Sequence, residues 1–417
     1  MRILAVSMSV SLVGLAASPA FAQTTMDYPT GSIVTYQHET GAQDNPTAEF
    51  QVVASHLVRL EGSVSMRLYY SDWYLAEGSF VRVTSIFDGD EQELDAEELA
   101  DWHGTSAYFN GDSVLFELVA GPHTTGSFVK IRQVGITMAD AITGSPGQCG
   151  ICGSDDRTQS NLDFSGRLMP VGCTASIYTT NSCALTAGHC VDGAGSLVLQ
   201  FRVPNSLANC ATVNPPATHQ YSILQRTFLN GGVGADWCVM TVAASQGLKP
   251  YQRYGTLRRI GTTGVASATA IYGFGVDDTC FRSQTQQYSP GNFAGQTPTY
   301  WTYTNDIRGG NSGSGLLSKD LIYGICTHCT VGSCSNIATK TVVAAFANAR
   351  TVLCPPCVAD LDANGSIGQG DLGLLLSGFG KCYTDVGFIH ATDLDGNGCC
   401  DQGDLGIMLG VFGQNCP

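Results

Sequence analysis

Charge is scarce in this chain of 417 residues: Asp, Glu, Lys and Arg together make up 13%, with 20 basic side chains against 35 acidic ones. The net charge of -15 and the lack of any lysine or arginine run leave no footprint for nucleic acid. Long apolar runs are missing as well. Beyond the N-terminus nothing approaches the roughly 20 apolar residues that cross a bilayer, which excludes a helical membrane span there. Cysteine is absent before Cys149, although the chain holds 17.

What is present at the N-terminus reads as an export signal over residues 1–22. Arg2 supplies the charge, residues 3–17 the short apolar stretch, and Ala20-Phe21-Ala22 a small-x-small cleavage site before Gln23. Export implies a secreted or cell-surface protein and favours disulfides over free thiols or metal sites for the cysteines.

The length suggests two or three domains, and the composition divides accordingly. Residues 23–145 alternate apolar and polar positions, as in residues 64–70, 80–83 and 114–118, between turns such as Asp88-Gly89 and Gly121-Pro122. This pattern predicts short antiparallel strands of a β-sandwich-like leader or accessory domain. The segment carries 18 acids and 5 bases, whereas residues 146–356 carry 9 acids and 13 bases. Opposite charge is read in two ways: the leader docks electrostatically on residues 146–356, as a pro-region or substrate-handling module, or the charges are simply solvated surface.

Residues 146–353 hold the chemistry. Cys149 and Cys152 read as disulfide ends at the start of that domain. An apolar strand runs into His189, and Cys173 and Cys190 are close enough in sequence to bridge the hairpin and fix the imidazole. Asp236 opens a second apolar strand, where a carboxylate can be buried and still reach a histidine. Ser312 lies among Gly309, Gly310, Gly313 and Gly315, in a turn whose missing side chains leave room for a substrate. A serine hydroxyl needs a base to become a nucleophile, and the base needs an orienting acid. The order His-Asp-Ser, each residue beside a short strand, meets both needs.

Leu-Thr-Ala-Gly-His189-Cys, Ala-Asp236-Trp-Cys-Val and Gly-Gly-Asn-Ser312-Gly-Ser-Gly resemble the trypsin-like serine peptidases, in particular the bacterial glutamyl-endopeptidase branch. The resemblance implies two six-stranded antiparallel barrels of the chymotrypsin-like kind, a triad of His189, Asp236 and Ser312, and an oxyanion hole from the N–H groups of Gly310 and Ser312. It also implies a specificity pocket around Asp306, Thr327 and His328. Asp306 ranks a basic residue at the cleavage site slightly ahead of an acidic one, since bacterial relatives often carry an acid there without that preference and Arg308 lies nearby to neutralise it. Asn311 replaces the aspartate that pairs with a new N-terminal ammonium in digestive relatives, so activation by N-terminal insertion is not expected. Cys326, Cys329 and Cys334 beside His328 read as disulfide bracing rather than a zinc site, and residues 338–349 as a closing helix.

Residues 354–417 begin with a stiff Cys-Pro-Pro-Cys linker and then repeat with a period of 33. Asp360, Asp362, Asn364 and Asp371 match Asp393, Asp395, Asn397 and Asp404 as positions 1, 3, 5 and 12 of a calcium loop, with glycine at position 6. An apolar helix face comes after each loop. The pair resembles a type I dockerin, which implies a small α-helical domain, structural calcium, and a cohesin-bearing scaffold as partner. The expected whole is a secreted serine endopeptidase acting on protein or peptide without a catalytic cofactor. The rival is an inactive protease-like binding or scaffold protein; an esterase is disfavoured by the residue order.

Overall fold

The computed structural model describes residues 21–23, 31–138, 150–262, 264–330, 334–355 and 357–416. Most of the expected export signal, and Cys149, lie outside these residues.

Six strands, Ser165–Met169, Cys173–Ile177, Ala184–Thr186, Val198–Gln200, Gln220–Asn230 and Asp236–Val242, form a closed antiparallel barrel. Nearly every residue of its short strands is buried, because a small barrel has no solvent on its inner face and its outer face is covered by neighbours. A second ring runs through Leu321–Thr330, Gly315–Ser318, Ala268–Gly273, Gln287–Gln296, Tyr300–Tyr303 and Asn336–Lys340, which pairs back onto Leu321–Thr330. Phe21–Gln23 adds antiparallel to the edge of that last strand, with Ala22 opposite Cys329.

The expected helix over 338–349 is corrected. Ala338 to Lys340 belong to the strand that closes the second barrel, pairing with Tyr300–Tyr303 on one side and Leu321–Thr330 on the other. The helix is Ala344–Leu353, with Phe346 buried against Trp237. Barrel closure outweighs local helix propensity here.

Residues 31–138 form two antiparallel sheets. One orders Ser32–Glu39, Thr124–Met138, Ser63–Tyr74 and Phe109–Asn110; the other orders Gln51–Arg59, Ser113–Ala120, Phe80–Ser85 and Glu91–Leu94. Their core, with Leu68, Phe116 and Val134, continues without a break into Met169, Val198 and Ala217 of the first barrel. The junction is not the expected ionic one. Among the described residues no ion pair crosses it. Amides take that place: Gln220 exchanges two hydrogen bonds with the Tyr108 backbone, and Asn110 two with that of Asn214. A buried cation, Arg67, stacks on Tyr69 and Tyr108 and donates to the carbonyl oxygens of Ser106 and Ser196.

The C-terminal segment carries helices Gln369–Gly378 and Gln402–Val411, each after an acidic loop. Its Leu361, Leu375, Leu394 and Met408 share one core with Trp237, Leu257 and Ile325 of the barrels. Cys354, at the linker, is bonded to Cys183. The linker is therefore anchored rather than free.

Candidate active site

Each barrel contributes part of one hydrogen-bonded line. From the first, Ala184–Thr186 ends in a single 3-10 turn, Gly188–Cys190, that carries His189. The Cys173–Cys190 disulfide closes this turn onto the neighbouring strand, in keeping with the hairpin spacing. Gly188 is needed for close approach: a Cβ there would strike the backbone of Leu229. Asp236, fully buried at the start of its strand, accepts from the His189 backbone N–H at 3.0 Å and from the Nδ1 side of the ring at 2.6 Å. Two contacts to one carboxylate fix both the position and the tautomer of the imidazole.

From the second barrel, Ser312 brings its Oγ to 2.8 Å from His189 Nε2. The turn that carries it is held from across the barrel interface. Thr174 donates its Oγ–H to the Gly310 carbonyl at 2.8 Å and its backbone N–H to the Ser312 carbonyl at 2.8 Å. Gly310 and Gly313 have φ of +98° and +87°, a region disfavoured for side-chain-bearing residues. A Cβ at Gly310 would meet the Phe274 carbonyl and the Gln284 amide; one at Gly313 would meet Thr186 and the Thr174 carbonyl. Asn311 is buried as a neutral amide beside Gly273 and Gly275, where any Cβ would collide with it.

The expected pocket residues separate. Thr327 and His328 lie on Leu321–Thr330, and the His328 ring stands edge-on to His189 with centroids 6.3 Å apart. Burial pulls the His328 pKa down; Asp236 opposes this and His189 adds to it. Its Nδ1 is buried without a partner among the described residues. Asp306 is the correction. It is 2% exposed, and its two oxygens accept the backbone N–H groups of Cys152 at 2.5 Å and Asp156 at 2.9 Å. Its charge holds the incoming loop in place instead of facing a substrate. Ile307 and Asn336 both bond the Gly150 carbonyl and fasten the same loop. The Cys152–Cys334 bridge, which no local pattern reveals, completes the anchor. Arg308 pairs with Asp278 rather than with Asp306.

Cys329 and Cys334 are disulfide-bonded and Cys326 is a buried free thiol, so no metal group forms around His328 among the described residues. Metal-capable groups do form in the C-terminal loops. Ligand oxygens of Asp360, Asp362 and Asp371 lie within 4.8 Å of one another, as do those of Asp393, Asp395 and Asp404. Asn364 and Asn397 turn their Oδ1 atoms onto the N–H groups of Ser366 and Cys399, which shapes each loop. Gly365 and Gly398 take φ of +86° and +96° at the sharp turn. Burial raises the pKa of Asp393 to about 6. An all-oxygen donor set in two like loops fits a hard divalent cation.

Two closed six-stranded antiparallel barrels with these residues between them make a chymotrypsin-like architecture. Among solved structures the chain is similar to a Glu endopeptidase at 20% identity, covering 48% of this chain and 98% of that one with a TM-score of 0.40. It is also similar to the thermostable serine protease AL20 from an extremophilic microorganism (16% identity, 43% and 90% covered, TM-score 0.35) and to the protease Anisep from Arthrobacter nicotinovorans (14%, 44% and 91%, TM-score 0.35). No family model and no curated protein matches. The chemistry rests on the geometry and not on these likenesses.

Proposed function

We propose that the protein is a secreted serine endopeptidase. The observation that carries this reading is the continuous line Asp236, His189, Ser312, with contacts of 2.6 and 2.8 Å. His189 takes the Ser312 proton as Oγ attacks a peptide carbonyl, then returns it to the departing amine as the acyl-enzyme forms. A water attacks that ester by the same proton route in reverse. Asp236 holds the tautomer and stabilises the imidazolium. The N–H groups of Gly310 and Ser312 receive the oxyanion, a contribution on the order of 3 kcal/mol per donor.

With Asp306 occupied by the incoming loop, Thr327 and His328 are the side chains left to select substrate. The two C-terminal loops take calcium as a structural ion, through Asp360, Asp362, Asn364 and Asp371 and through Asp393, Asp395, Asn397 and Asp404. A dockerin-like role toward a cohesin-bearing scaffold rests on the repeat alone. The seam with the barrels gives these loops a second role in stabilising the enzyme. Digestion of a peptide library by the wild type and by Ser312→Ala, read by mass spectrometry, tests the reading. Internal cleavage only by the wild type supports it, and equal cleavage by both refutes it.

A further inference from the structure

We propose that the seam between the barrels and the C-terminal segment is a binding site for a small oxyanion. A cavity of about 210 Å³ opens there, lined by Tyr178, Arg259, Arg350, Val358 and Leu394 among others. At about 30 Å³ per water, this is room for several waters or one small oxyanion.

The donors of the lining outnumber its one carboxylate residue, Asp395. Arg259 is 4% exposed and donates through Nη2 to the carbonyl oxygens of Val358 at 2.9 Å and Ala391 at 2.7 Å. Its Nε is buried and has no partner among the described residues. Tyr178 is 3% exposed, and its hydroxyl is likewise buried and without a partner among the described residues. Arg350, close enough to act on Tyr178 electrostatically, forms no ion pair among the described residues, and neither does Arg259.

The neighbouring carboxylates are committed elsewhere. Asp395 turns its oxygens onto Asn397 and offers the seam only its carbonyl, which accepts from Thr262 at 2.6 Å. Asp393 and Asp404, which act on Arg259 electrostatically, accept backbone N–H groups of their own loop. A buried guanidinium with no carboxylate in ion-pair contact is costly. Two guanidiniums and a phenol around one cavity supply the donors that a carboxylate, sulfate or phosphate accepts.

The test is calorimetric titration of the full chain with sulfate, with acetate as a carboxylate arm and chloride at matched ionic strength. Saturable 1:1 binding of sulfate or acetate, absent with chloride, is expected, together with a rise in Tm. Arg350→Gln, on a partly exposed helix face, and Tyr178→Phe should each weaken binding by about tenfold or more, the scale of a hydrogen bond to a charged group. Acetate binding without sulfate binding would narrow the ligand to a carboxylate. The proposal is overturned if no oxyanion differs from chloride, or if both variants, folded by circular dichroism, bind like the wild type.

Discussion

If the two acidic loops hold calcium as proposed, withdrawing it should destabilise the two barrels and not merely the C-terminal segment. Arg259 of the barrel side donates to Ala391 and Val358, each two residues before the first aspartate of a loop. Tyr251 bonds the Leu361 carbonyl, Gln252 that of Ala363, and Thr262 both Asp395 and Gly396. His390 reaches Asp320 at 3.2 Å. With one core on both sides of the seam, melting the loops exposes barrel surface, so the two parts should unfold together. A loop held at 100 times its dissociation constant gains about 2.7 kcal/mol from its ion, hence about 5 kcal/mol for the pair. At about 2 °C per kcal/mol for a cooperative unit of roughly 270 residues, chelation should lower Tm by about 10 °C. The assay is scanning calorimetry with and without a chelator, alongside residual proteolytic activity after heating. A single transition that moves down with loss of activity is expected. Two transitions, of which only a minor one responds while the heat-inactivation profile stays put, would refute the coupling.

Gly310→Ala should leave substrate affinity nearly unchanged and lower kcat about 100-fold, since the clash with Phe274 and Gln284 displaces an oxyanion donor worth about 3 kcal/mol; steady-state kinetics on a peptide reads it. Replacing Cys173 and Cys190 by serine should cost about 3 kcal/mol, the closure entropy of a loop of this length, measured by denaturant unfolding. In the two-sheet region, His38 and His56 stack at 3.7 Å, and burial, then His56, lowers the His38 pKa below its ordinary 6.5. A depressed folded pKa means that protonation is harder in the folded state, so stability is intact above pH 6.5 and falls as the pH drops below it. Hydrogen-exchange protection of the Ser32–Glu39 strand, corrected for the intrinsic pH dependence of amide exchange, should fall from pH 7 to 5 in the wild type and much less in His38→Phe.

Features whose neighbours lie close along the chain are legible in the sequence. His189, Asp236 and Ser312 each carry a local context, and the Cys173–Cys190 bridge comes from a short hairpin. The two acidic loops announce themselves by repetition. Asp306 misleads because its partners, Cys152 and Asp156, lie about 150 residues away and act through backbone N–H groups that no residue pattern displays. The leader junction misleads for a related reason: net charge is a property of whole surfaces, whereas the contact is made by Gln220, Asn110 and a stacked Arg67. Residues 338–340 are strand because two neighbouring strands need a partner, a demand that arises only in three dimensions.

The central claim, that His189 activates Ser312, is tested most directly by labelling with a fluorophosphonate at neutral pH. One equivalent of label on the wild type, located at Ser312 and lost in Ser312→Ala and His189→Ala, is the expected result. A folded wild-type protein that takes up no label would contradict the account and leave a protease-like binding protein in its place.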